Sequence, residues 1–172
     1  MASQDRYRIV LLSTYAIGLH SIENLLPSPL PWLRLGIANI ISLITLLLYG
    51  FKPAITVTLI RIIVSSIISG TFLGPAFILS FSAGLLSTSV MGILAQLLPN
   101  LLSPIGISII GAFCHNITQL LLAYLIFIHN IEVILILSPI IILLGTITGA
   151  LNGLITNIIF NNLKKSLKRV KM

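Results

Sequence analysis

The sequence predicts an all-α integral membrane protein: one bundle of six transmembrane helices with both termini in the cytoplasm. Three observations carry that prediction. Hydrophobic residues make up 57% of the chain and charged residues only 8%, against roughly 25% charged in a typical soluble domain, and the mean hydropathy is +1.14. Apolar segments of about 20 residues recur along the whole length, each bounded by Pro, Gly or charge. That is the length a helix needs to cross a bilayer, and it is unlike the weak alternation of barrel strands. The basic residues, finally, gather where six crossings bring them to one side.

The elements follow in order. The first span is expected from Tyr7 to Leu26. Its start has the two arginines and the apolar run of a signal peptide, but the run continues to His20 and Glu23 without a small-x-small cleavage site, so it reads as a retained span. The connection SPLPWLR leads to a second span from Leu35 to Tyr49, with Trp32 as an interfacial anchor and Arg34 at the outer end. GFK, GTFLG, PNLLS and HNIE then separate spans over Pro53 to Ser69, Pro75 to Leu98, Pro104 to Ile128 and Val133 to Phe160. Connections this short make consecutive helices antiparallel neighbours, hence one domain over residues 1–163 and a basic tail over 164–172.

The formal charge of +7 comes from ten Lys and Arg against three Asp and Glu. Five of the ten lie in NNLKKSLKRVKM: Lys164, Lys165, Lys168, Arg169 and Lys171. With Arg6, Arg8 and Lys52 they make eight of the ten on one side, which the positive-inside rule assigns to the cytoplasm. The cytoplasmic (inner) membrane is the expected location, with the tail against the headgroups of the lipid bilayer. A nucleic-acid partner would need a basic surface on a soluble domain, and the chain has no room for one. Cys114 is the single cysteine, so no intrachain disulfide forms.

Polar residues inside the apolar spans are the candidates for function. Arg61 lies nine residues from the outer end of its span, about 13 Å deep at the helical rise. A charge there costs about 2.5 to 3.5 kcal/mol on the lenient insertion scale, so it should face the bundle interior and meet a partner. Asp5 is cytoplasmic and Glu132 sits at the outer boundary, which leaves Glu23 as the carboxylate within reach. Either Arg61 and Glu23 form a buried pair that fixes helix register, or Arg61 receives an anionic or carbonyl group of a ligand. In the fifth span, Ser108, Gly111, Ala112, His115 and Gln119, with Asn116 adjacent, form one polar and small stripe. Together with Asn39 of the second span, these side chains are expected to converge in the outer half of the bundle as a substrate-binding site: Glu23, Asn39, Arg61, His115, Asn116 and Gln119.

The sixth span contains GTITGALNG, in which Gly145, Gly149 and Gly153 recur every four residues and so line one helical face. Small residues at that spacing allow close helix approach in lipid, either within the bundle or as a docking face for a partner subunit. Thr14 and Gly18 in the first span are a weaker version of the pattern.

Several chemistries lack the motifs that would signal them. One Cys and three scattered His make no metal ligand set. No phosphate-cradling GxxxxGK[ST] loop is present, hence no ATPase, and no G-x-S-x-G elbow. Asp5 is the only aspartate, so the Asp-rich magnesium motifs of a prenyl diphosphate synthase are missing. The chain is expected not to be an enzyme and to need no cofactor.

The succession LPSPLPWLRLGIANI, TLIRIIVSSIISGTF, LSFSAGLLSTSVMGIL and SPIGISIIGAFCHNITQLLLAYLIF resembles the Gx transporter family, also labelled component I of heptaprenyl diphosphate synthase. That family is similar to the substrate-binding S components of energy-coupling factor transporters. The resemblance implies a six-helix bundle that captures a small vitamin-type or lipid-precursor molecule from outside. Its partners would be a transmembrane coupling subunit and two cytoplasmic ATPases. Known S components carry an AxxxA motif in the first span, where this chain has only Thr14 and Gly18. The other label implies a non-catalytic membrane accessory of a prenyltransferase catalytic subunit.

Overall fold

The computed structural model describes residues 3–25, 36–99 and 101–170. Among these residues the protein is all helix and turn, with no strand. Six α-helices follow one another: α1 Ser3–Leu25, α2 Ala38–Tyr49, α3 Phe51–Ile68, α4 Pro75–Leu97, α5 Pro104–Ala123 and α6 Ile131–Val170, with a π-helical turn, Tyr124–Ile128, closing α5. The sequence punctuates these helices as expected. Pro75 and Pro104 stand in the first turns of α4 and α5, where a missing N–H costs nothing. Ser103 caps α5, its Oγ accepting from the Gly106 N–H at 3.2 Å. Asn130 caps α6 in the same way, its Oδ1 accepting from Glu132 N–H at 3.0 Å. Only Gly50, at φ +89°, separates α2 from α3, a backbone state that a side chain would strain.

Four helical stretches are long and apolar enough to cross a membrane: Phe51–Ile68, Pro75–Leu97, Pro104–Ile128 and Ile131–Leu163. The second expected span is shorter than Leu35 to Tyr49. α2 has 12 residues, about 18 Å at the helical rise, against a hydrocarbon layer of about 30 Å. Gly36, in the left-handed region at φ +70°, stands just before it. The first expected span is a 23-residue helix, but Asp5, Arg6 and Arg8 at its start and His20 and Glu23 towards its end make it less apolar than those four. At the other terminus, α6 does not stop at Phe160 but continues to Val170, carrying most of the basic tail as helix. Trp32, Arg34 and Lys171 lie outside the described residues.

Helix directions alternate through the chain. Thr58 meets Thr88 while Ile62 meets Gly84 across α3 and α4; Gly145, Gly149 and Gly153 of α6 meet Asn116, Ala112 and Ile105 of α5 in reverse order. α1 runs parallel to α3, with α2 antiparallel beside both.

The interior is polar and small where a soluble protein would be oily. Ser42, Thr45, Thr58, Ser65, Thr88 and Thr156 are completely or almost completely hidden, whereas Leu135, Ile136, Leu143 and Ile158 point outward and are largely exposed. That inversion suits a lipid surround, in which helices associate through close packing and hydrogen bonds rather than through apolar burial. Thr58 is the hub of one such contact, donating to Ser42 Oγ at 2.9 Å and lying 3.1 Å from Thr88 Oγ1, so it ties α2, α3 and α4 together. Thr58→Val keeps the shape and removes both bonds. It is expected to lower stability in detergent micelles by about 1 kcal/mol, read by thermal unfolding. Thr56→Val, whose hydroxyl bonds only the Lys52 carbonyl of its own helix, should change little.

Two apolar clusters flank this middle layer. Leu43, Leu46, Ala54, Met91 and Ile107 pack with Phe51 near the α2–α3 junction. Leu120, Ile134 and Ile141 pack with Tyr124 where α5 turns into α6.

Candidate functional site: a buried polar cluster

Five helices contribute side chains to one buried cluster. α1 supplies His20 and Glu23, three residues apart and therefore on the same helical face. α2 supplies Asn39 from its first turn, α3 Arg61 from its middle, α4 Ser80 and α5 His115. Arg61 is only 3% exposed and Glu23 only 6%, so both charges are withdrawn from any surrounding lipid. The guanidinium Nη2 donates to Asn39 Oδ1 at 2.5 Å, and Nη1 stands 3.5 Å from His20 Nδ1. The same imidazole nitrogen is 3.9 Å from Glu23 Oε2. Without a proton, Nδ1 accepts from Arg61; with one, it faces the carboxylate. Glu23 Oε1 in turn accepts from the Ile37 N–H at 2.6 Å, which pins the start of α2 to α1.

These side chains, with Gly36 and Ile62, enclose a cavity of about 20 Å³. That is room for about one water. The lining holds a cation, an anion, two imidazoles, an amide and a hydroxyl, a set that can donate to and accept from a polar ligand at once. Among the described residues no group of three or more His, Cys, Asp or Glu is placed to hold a metal ion.

Four of the six expected site residues come together here: Glu23, Asn39, Arg61 and His115. Asn116 and Gln119 do not line the cavity among the described residues. Asn116 is one position from His115, about 100° further round the helix, and so meets α6, where its Nδ2 donates to the Ile141 carbonyl at 3.4 Å. Gln119 is buried, one turn beyond His115. Two cluster members were not singled out from the sequence, His20 and Ser80. The spacing of His20 and Glu23 in HSIE was the available clue, since two ionisable groups on one face of a membrane helix need a common partner.

The glycine stripe of α6 lies in the contact with α5. A Cβ on Gly149 would stand 2.7 Å from Ala112 Cβ, and one on Gly153 would stand 2.6 Å from Ile105 Cα. Thr14 is exposed on α1, and nothing lies within 4 Å of a Cβ built on Gly18, so this face of α1 is open.

Residues 12–159 match the family model described as heptaprenyl diphosphate synthase component I. No curated protein and no solved structure matches the chain. The matched region covers well over half of the sequence, reaches into all six helices and includes every member of the polar cluster; the chain belongs to the heptaprenyl diphosphate synthase component I family.

Proposed function

We propose that the protein is a membrane-embedded substrate-binding subunit, similar to the S components of energy-coupling factor transporters. It would capture a small vitamin-type or lipid-precursor molecule for import driven by partner subunits. The observation that carries this reading is the burial of Arg61, Glu23 and His20 in one cluster inside an apolar bundle, with Asn39 and His115 half-buried beside them, because ionisable groups at such depth are costly and mark substrate or ion paths. In this reading α1 and the short α2 complete six membrane crossings of a single domain over residues 1–163. Both termini and the basic residues 164–172 are cytoplasmic, in the inner membrane. The cluster then opens outward. Arg61 and His115 contact a polar or anionic part of the ligand, and Asn39 adds a hydrogen bond. Asn116 and Gln119 act from the flank of the site, holding α5 in register. With a cavity of about 20 Å³, ligand entry requires the surrounding helix ends to separate. A coupling subunit is best received on α1 around Gly18, where an added Cβ would meet nothing within 4 Å and Thr14 is exposed one turn away, while the Gly145, Gly149 and Gly153 face is engaged by α5.

The family's description favours a second reading, a non-catalytic membrane accessory of a prenyltransferase catalytic subunit. Native mass spectrometry of the protein, purified gently from its own membranes, separates the two. The capture reading predicts a small polar metabolite lost in both His115→Ala and Arg61→Ala, alongside coupling and ATPase subunits. A prenyltransferase or polyprenyl lipid retained through both substitutions would overturn it in favour of the accessory.

A further inference from the structure

A second concavity lies at the far end of the α1–α3 pair from the polar cluster. It is a groove of about 840 Å³ between the first halves of the two helices, within the range of about 300 to 1,000 Å³ typical of small-molecule sites. Ile9, Ile17 and Ile60 contribute apolar wall. Four lining residues carry hydroxyls: Tyr49 ends α2 beside the start of α3, at the polar end of the groove, and the other three donate within their own helices, Ser13 to Ile9 O at 2.9 Å, Thr14 to Val10 O at 3.1 Å and Thr56 to Lys52 O at 3.0 Å. A hydrocarbon chain in the groove therefore strands no polar group. A partner helix would find the proton of each of those three hydroxyls already donated within its own helix, and so would receive no donated hydrogen bond from them of the kind that helps helices associate in lipid.

The polar end of the groove is as specific as its wall. Arg6 begins the lining of α1, Lys52 follows Phe51 at the start of α3, and Gln96 lies in the last turn of α4 beside them; because α1 and α3 are parallel and α4 antiparallel, all three come to one end. All are exposed, and no acidic residue lines the groove among the described residues. We propose that the groove seats a hydrocarbon chain of an anionic bilayer phospholipid, with its phosphate on Arg6 and Lys52 and an additional donor in the Gln96 amide. The inference uses neither the cluster nor any transported ligand, so it stands if the capture reading fails; it assigns Thr14 to lipid and leaves Gly18, which does not line the groove, to a coupling subunit.

The test is lipid titration by native mass spectrometry on the full chain, delipidated in micelles, with phosphatidylglycerol and phosphatidylcholine of matched chains. Phosphatidylglycerol is expected to bind about tenfold more tightly, as two cations near an anionic headgroup allow. Arg6→Gln with Lys52→Gln should erase that preference, and Thr14→Leu, which fills the groove, should weaken both lipids. Lys164→Gln with Lys165→Gln should leave the preference intact, and circular dichroism should show unchanged helicity in all variants. A preference that survives the Arg6 and Lys52 substitutions overturns the proposal. So does lipid binding indifferent to Thr14→Leu, including the case in which that variant loses a protein subunit instead. Displacement of phosphatidylglycerol by equimolar farnesyl diphosphate would overturn the choice of occupant.

Discussion

Arg61→Ala is expected to lower the stability of the protein in micelles by about 3 kcal/mol, the low end of what removing one partner from a buried charge cluster costs. The guanidinium is 3% exposed and joins three helices, through Asn39 on α2 and His20 on α1. Its loss leaves the Glu23 carboxylate, 6% exposed, in a cluster without its guanidinium, and leaves Asn39 Oδ1 without the bond at 2.5 Å. The carboxylate must then take up a proton or draw in water. Adding Glu23→Gln to Arg61→Ala removes that liability, so the double variant should recover a large part of the loss, a coupling that thermal unfolding of the four-membered cycle measures. Arg61→Lys should fall between, since an ammonium supplies charge but not a fork that reaches Asn39 and His20 together. A loss from Arg61→Ala below about 0.5 kcal/mol, typical of surface substitutions, would mean that the cluster does not hold the helices together.

The same cluster indicates what the residues alone disclose. Arg61 stood out because a charge deep in an apolar run demands an explanation wherever the helix sits, and Glu23 followed because few carboxylates were available to answer it. His20 stayed hidden, since its place at the end of an apolar run near the N-terminus fits a plain span equally well. The helices were legible from their breakers, Pro75, Pro104 and Gly50 among them. The start of α2 was not: LRLGIANI holds no proline and no Ser, Thr or Asp cap to mark a helix start, and its boundary depends on the positive φ of Gly36 and on the Glu23 carboxylate holding the Ile37 N–H. The assignment of Asn116 had a different obstacle. In a helix surrounded by lipid, Leu and Ile face both neighbours and solvent hydrocarbon, so periodicity has little contrast. Nothing in GAFCHNITQ separates the side of α5 that meets the cavity from the side that meets α6.

That α5–α6 contact sets the second large effect. Gly153→Ala should destabilise by about 2 kcal/mol, as overpacking of a tight contact does, and more than Gly145→Ala. The new Cβ at position 153 would stand 2.6 Å from Ile105 Cα and 3.0 Å from Ser108 Cβ. Backbone atoms cannot rotate aside, so relief requires α5 and α6 to move apart along their whole contact, which also shifts His115 relative to the cluster. At Gly145 the obstacle is the Asn116 amide, the end of a side chain that can turn away at the expense of its 3.4 Å bond to Ile141 O. Asn116→Ala should therefore make Gly145→Ala nearly harmless and leave the cost of Gly153→Ala untouched, a non-additivity confined to the pair in contact. Gly18→Ala on α1, with nothing within 4 Å of the added carbon, should be neutral or slightly stabilising through helix propensity. Equal melting temperatures for the Gly153→Ala and Gly18→Ala proteins would show that α5 and α6 are not packed through this glycine face, leaving it available to a partner.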